Sequence, residues 1–364
     1  MSSNIANIEL NSSKPYPWML NPWIDILFCC GGLLWILFSI NYCNNFIKVV
    51  PGSETFLPMT AAIINHVFSN SHTAATLTRI YQNEESINRF FLYSKPLAII
   101  FGILAIYSFY NTWIIPIMLK IYILWVIHHY TSQTYGIALI YCYKRGYILN
   151  GFEKRIFWLL MMFTAYTGIL RQVTDKNQMY LGFSMYYDVP FWGPVPKEIL
   201  MSAEVICRVL IVAFCIIIVR KFFIEKKFFP LPALLLTATG ILIILLSGNE
   251  SIILWFYVPA LFHGSQYIVV TTSYYLKEKG LPNNLRTSQI ASLLKESIGI
   301  HYLGLLIMSG FFIYTGLPTI LSQLGIEYKA AFTTIFAVFN FHHFLTDREI
   351  WRLRDPNIRQ ILLA

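Results

Sequence analysis

Ten windows of about twenty mostly apolar residues limit what this chain can fold into. They cover approximately 24–42, 57–79, 96–112, 115–143, 155–171, 199–219, 229–248, 252–275, 300–321 and 330–350. In hydrocarbon every backbone N–H and C=O must be paired internally, so windows of this length are read as helices. The composition agrees: 12% of residues are charged and 56% hydrophobic, against roughly 25% charged in a soluble chain. The expected fold is an all-α, polytopic integral membrane helical bundle. A tail at 1–22 precedes a single transmembrane domain at 23–354, and a second tail follows at 355–364. The longest non-membrane segment, 172–198, is rich in Tyr, Phe, Trp and Pro and reads as an interfacial cap on the extracytoplasmic side. The first twenty residues are polar and lack a basic segment followed by a small-residue cleavage site, so no cleaved signal peptide is expected.

The net charge of +9 invites a nucleic-acid reading, but the distribution of basic residues assigns it to topology. Counting Lys14 and the basic residues after windows two, four, six, eight and ten puts 20 on one side. The other side carries 6, and Arg208 falls inside a window. Cytoplasmic loops are enriched in Lys and Arg, so both termini are expected in the cytoplasm and no nucleic-acid partner is expected. The six cysteines show neither CxxC nor zinc-finger spacing and read as small core residues. Glu204 and Arg208, at i and i+4, read as a structural ion pair.

Seven histidines fall in four of these apolar windows: His66 and His72, His128 and His129, His263, His342 and His343. Polar side chains at membrane depth are costly without partners, which makes each a candidate functional residue. All four windows are even-numbered and therefore run in the same direction. His129 and His263 each stand seventeen residues before a glycine at a basic helix end, which predicts similar heights. His72, seven residues before Arg79, and His343, nine before Arg352, are predicted nearer the cytoplasmic face. On straight helices the set spans about 10–15 Å of depth. That is wide for one metal ion and suits two ions or kinked helices. Helical spacing adds polar company on the same faces: Gln133 beside His129, Gln266 and Tyr267 beside His263, and Asn340 and Asp347 beside His343. These residue types orient or supplement ligating imidazoles. Adjacent histidines point about 100° apart on a helix, so a pair serves one centre only at a seam between helices. His301, alone near the start of window nine, reads as an ordinary hydrogen-bonded residue.

The histidine-bearing segments resemble the integral-membrane fatty-acid desaturase, hydroxylase and alkane-monooxygenase group, whose members hold a di-iron centre in HxxxH and HxxHH boxes. The counterparts here are His66-x5-His72, His128-His129 and His342-His343. The first interval is longer than the family box, and the HH pairs lack the preceding histidine. The resemblance covers the four histidine segments and the manner of ligation.

The leading expectation is a membrane oxidoreductase that activates dioxygen to hydroxylate, desaturate or oxidatively cleave a lipophilic substrate arriving from the bilayer. Its cofactor is expected to be non-haem iron, with two ions favoured and zinc or copper as alternatives. The seven histidines are the candidate ligands. Gln133 and Asn340 are candidate supplementary or orienting residues, and Tyr135, Tyr267 and Asp347 candidate catalytic ones. No flavin, nicotinamide or ferredoxin motif is present, so electrons are expected from a separate donor protein. Two other expectations are a bis-histidine haem between His129 and His263 and a transporter with a histidine relay for metal or protons. A zinc hydrolase using Asp347 or Glu349 as base is a further alternative.

Overall fold

The computed structural model describes residues 16–47, 63–176, 187–246, 258–280 and 287–364. It is 84% helical, with no strand among the described residues. Five helices are long and apolar enough to cross a membrane: α4 (Phe91–Tyr110), α5 (Thr112–Lys144), α6 (Gly151–Thr174), α7 (Lys197–Glu225) and α10 (Ser297–Gln323). Before them lie α1 (Pro22–Cys29), α2 (Gly32–Ile47) and α3 (Ser71–Tyr81). Further helices are α8 (Leu231–Leu246), α9 (Ser265–Glu278), α11 (Tyr328–Ile350) and α12 (Pro356–Leu363), with short helical segments at Glu84–Arg89 and Thr287–Lys295. The second and eighth windows reach outside the described residues, which begin at 63 and 258 there.

The first window is not one straight helix. It bends by 58° between α1 and α2. Gly31 at the bend has φ +83°, a left-handed backbone that glycine tolerates without a Cβ clash. Asp25 holds the first piece in place: its carboxylate accepts from the Met19 and Leu20 amides at 2.6 and 3.1 Å and from the Tyr141 hydroxyl at 2.6 Å.

Polarity separates the outer helices from the inner ones. On α4 and α7, Ile99, Ile103, Val205, Val209 and Ile216 are exposed, an apolar outer surface on helices long enough to cross a membrane. α7 packs along α6, and α6 along α5. Inside, α3, α5, α9 and α11 carry buried His, Thr and Tyr residues, and α11 contacts both α3 and α5. Two inner helices open with wide π-helical turns, Asn65–Asn70 before α3 and Pro259–Gly264 before α9, which pack on each other.

Two details of the sequence reading change. Glu204 pairs more closely with Arg171, at 2.8 Å, than with Arg208, at 3.7 Å and 74% exposed. Arg171 also donates to the Ile244 and Leu245 carbonyls, closing the last turn of α8. In the cap segment, α6 continues to Thr174 and the Val195 amide donates to the Val173 carbonyl at 2.8 Å, while 177–186 lies outside the described residues.

The tail after α11 is ordered as α12. Asp355 caps it, accepting from the Asn357 and Ile358 amides at 3.0 and 3.3 Å, and pairs with Arg89. Slight burial pushes the Asp355 carboxyl up, but Arg89 and the two amides outweigh it and hold the group below the usual carboxylate range. A depressed folded value means that the stabilisation is present above the unfolded value of about 3.9 and is lost as pH falls through the folded one. Asp355→Ala is expected to lower stability at neutral pH by about 1 kcal/mol. Thermal unfolding in detergent should show the gap from the parent closing below about pH 4.

Candidate metal centre

Four imidazoles meet where α3, α5, the π turn before α9, and α11 converge. Each of His72, His129, His263 and His343 is buried, between 1% and 8% exposed. The ring centroids of His72 lie 4.8 Å from His263 and 4.6 Å from His343. Those of His129 lie 4.8 Å from both His263 and His343, and the His263–His343 distance is 6.2 Å. Asp347, one turn after His343, closes the group, with its Oδ2 3.9 Å from His129 Nε2. Two sets offer ligand atoms within 4.8 Å of one another: His72, His263 and His343, and His129, His343 and Asp347.

Hydrogen bonds behind the rings orient them. His72 Nδ1 contacts the Ser69 carbonyl, which accepts from an Nδ1–H and leaves the Nε2 lone pair free. His343 Nδ1 lies 2.7 Å from Thr76 Oγ1, and the Thr76 hydroxyl donates to Asp347 Oδ1 at 3.0 Å. Tyr267 donates to the same carboxylate oxygen at 2.6 Å, and its own hydroxyl oxygen accepts from Trp351 Nε1–H at 2.9 Å. The chain is self-consistent with a proton on His343 Nδ1, so Nε2 faces the centre. Partners of this kind fix the ring orientation of metal-ligating histidines.

The unpaired atoms point to a cation. Among the described residues, five imidazole nitrogens are buried without a hydrogen-bond partner: His72 Nε2 and both of His263 at the centre, and His66 Nε2 and His342 Nδ1 away from it. Each such group costs about 1–3 kcal/mol. His129 Nε2 and His343 Nε2 are 3.1 Å apart. Two nitrogens bound at about 2.0–2.1 Å to one ion, at tetrahedral or octahedral angles, stand about 2.9–3.4 Å apart. The observed spacing fits. Asp347 Oδ2 is further out and would need to close by about 0.5–1 Å to ligate. The residues present fit a transition-metal ion.

Comparison with known proteins finds no matching family model, no matching curated protein and no matching solved structure. The reading of the site therefore rests on its own geometry.

Of the residues singled out from the sequence, His72, His129, His263, His343, Asp347 and Tyr267 come together. The other three histidines lie outside both sets. His66 Nδ1 lies 3.2 Å from the Asn70 amide nitrogen, and its ring packs edge-on against Phe311. His128 Nε2 lies 3.4 Å from Ser132 Oγ, and His342 Nε2 lies 2.9 Å from the Tyr93 carbonyl. Tyr135 packs against Phe157 and its hydroxyl lies 3.5 Å from the Lys154 carbonyl. Asn340 donates to the Phe336 carbonyl and to Tyr314 Oη. Gln133 binds the His263 carbonyl at 3.1 Å.

The predicted spread in depth is not observed: neighbouring rings stand side by side. The ruler was wrong at one end. Arg79 is not a surface marker but is 8% exposed, with its guanidinium 3.9 Å from the Tyr274 ring centroid and 4.8 Å from that of Trp351. The π turns also change the rise per residue beside His72 and His263. Thr76, Trp351, Gln266 and Tyr130, which stacks on His263 at 4.1 Å, complete the surroundings. Thr76 carried a readable signal, four residues after His72 on the same face.

Proposed function

We propose that this chain is a membrane oxidoreductase with one non-haem metal ion, iron first among candidates, held by His72, His129, His263, His343 and Asp347. The substrate is a lipophilic molecule from the bilayer and the oxidant is dioxygen. The observation that carries the reading is the convergence of four buried imidazoles, with the Asp347 carboxylate beside two of them. Within it, His129, His343 and Asp347 form a two-histidine, one-carboxylate set, the ligand type of non-haem iron oxygenases. What supports one ion over the two expected from sequence is that both ligand sets share His343, whose Nδ1 faces Thr76 and which has Nε2 to offer. Against a haem between His129 and His263 stands the 4.8 Å separation of their ring centroids, which leaves no room for a macrocycle between them. Support for ten crossings with cytoplasmic termini is the basic-residue count, 20 against 6.

Bound there, iron would supply one-electron chemistry with dioxygen. Hydroxylation takes R–H, O2, two electrons and two protons to R–OH and water. Desaturation takes a CH2–CH2 unit with the same inputs to an alkene and two waters. Oxidative cleavage takes an alkene and O2 to two carbonyls without added electrons. The first two require electrons from a separate donor protein. The chain's own residues hold the reacting region dry, since the four histidines are buried. Thr76 and Tyr267 hold Asp347 Oδ1, leaving Oδ2 turned towards His129. Protein purified in detergent after growth with iron is expected to contain about one iron per chain and to show no Soret band. Metal-free protein under those conditions, or a Soret band, would sink the reading.

A second reading, transport of metal ions or protons past the histidines, is favoured by the 58° break in the first span and the π turn beside His263. Metal uptake into proteoliposomes without oxygen consumption would select it.

A further inference from the structure

Beside the metal centre stand two amides with unused hydrogen-bonding capacity. The Gln133 amide nitrogen donates to the His263 carbonyl at 3.1 Å and to Gln266 Oε1 at 3.2 Å. The backbone carbonyl can only accept, so the Gln133 atom facing it is the NH2 group. The Gln266 atom facing that NH2 must then be its oxygen. Both amide orientations are thereby fixed. What is left over is Gln133 Oε1, an acceptor, and Gln266 Nε2, a donor. Both are buried without a partner among the described residues, and Gln266 is 0% exposed. Buried amides without partners are rare in proteins, and each calls for a ligand, an ion or a water.

Position favours a ligand over a structural role. Gln133 lies one helical turn after His129, and Gln266 three residues after His263. Neither orphan atom hydrogen-bonds a ring among the described residues; Ser69 holds His72 and Thr76 holds His343. Neither amide carries charge. An acceptor and a donor on two amides joined by one hydrogen bond match a neutral group that donates one hydrogen bond and accepts another.

We infer that Gln133 Oε1 and Gln266 Nε2 bind the polar end of the substrate, and that this end is a hydroxyl. This deepens the oxidoreductase reading and rests on it for the word substrate. The hydroxyl hydrogen goes to Gln133 Oε1 and its oxygen accepts from Gln266 Nε2. A lipophilic alcohol is thus anchored next to the metal, with its chain positioned for oxidation. A carboxylate cannot donate to Gln133, and an ether can use Gln266 alone.

The test is competition for radiolabelled 1-hexadecanol on the detergent-solubilised full chain, using 1-hexadecanol, 1-methoxyhexadecane and heptadecane as competitors. The parent protein is expected to rank alcohol over ether over alkane, with roughly tenfold between alcohol and ether, which is about 1.4 kcal/mol. Gln266→Met is expected to bring the ether down to the alkane, with comparison to the parent cancelling partition into micelles. If Gln266→Met does not fold, Gln266→Ala removes the same donor with a smaller side chain. Equal competition by all three compounds in the parent, or an unchanged ranking in the Gln266 variant, overturns the proposal and leaves water as the partner of both amides. The ranking is measured on metal-loaded and metal-stripped protein. A ranking that holds in protein shown to take up no metal overturns the metal reading alone, while a lost ranking with full metal overturns this one alone.

Discussion

His343→Ala is expected to abolish metal binding, lowering affinity by at least about 100-fold. Changing a residue that merely orients a ligand already costs roughly 10–100-fold, and His343 stands closer than that. It belongs to both ligand sets, with Nε2 facing His129 Nε2 at 3.1 Å and Nδ1 tied to Thr76. Its removal takes away the one residue that both ligand sets share. The neighbouring His342→Ala and the more distant His128→Ala are expected to keep the metal, since those rings bond Tyr93 and Ser132 instead. Elemental analysis of the three variants decides the matter. Full occupancy in His343→Ala would show that the centre is not where the geometry places it.

Gly264→Ala is expected to damage the site without touching a ligand. A Cβ on Gly264 would stand 2.8 Å from the Phe68 carbonyl oxygen and 3.0 Å from the Ser69 nitrogen. Both obstacles are backbone, so no side-chain rotation relieves them. The π turns carrying Phe68 and His263 must therefore separate, and Ser69, whose carbonyl holds His72 Nδ1, moves with its turn. Overpacking of this kind costs about 1–3 kcal/mol, and the displaced rings should lose metal as well. Gly136→Ala is the control, because a Cβ there meets nothing within 4 Å. Thermal unfolding and metal content should fall together in Gly264→Ala and stay at parental values in Gly136→Ala. Parental values in Gly264→Ala would show that the two turns have slack between them.

Much of this arrangement is legible before folding. The apolar windows mark the helices, and the cost of burying imidazoles among them marks the four that matter. Asp347 and Tyr267 follow from helical spacing to His343 and His263. The sequence does not say which member of each HH pair points inward. His128 and His129 differ by one helical step, and only packing decides that His129 faces His343. The π turns are equally silent, because no residue pattern announces an extra residue in a turn. The depth estimate failed for that reason and because Arg79, taken as a surface marker, is buried against Tyr274 and Trp351. Tyr135 and Asn340 share a helix with true neighbours of the site but hydrogen-bond elsewhere, as periodicity alone permits.

Trp351 joins two parts of the protein that look unrelated. Its N–H reaches Tyr267, which holds Asp347, while its ring lies against Arg79, which stands 3.7 Å from the partly exposed Glu278. The Trp351 indole and the Tyr267 phenol therefore stand between the Arg79–Glu278 ionic contact and the carboxylate of the proposed metal centre. Coupling free energy between sites is reciprocal. If occupancy of the centre stiffens Asp347 and Tyr267, it strengthens the Arg79–Glu278 contact by the same amount that a partner holding Glu278 would strengthen the centre.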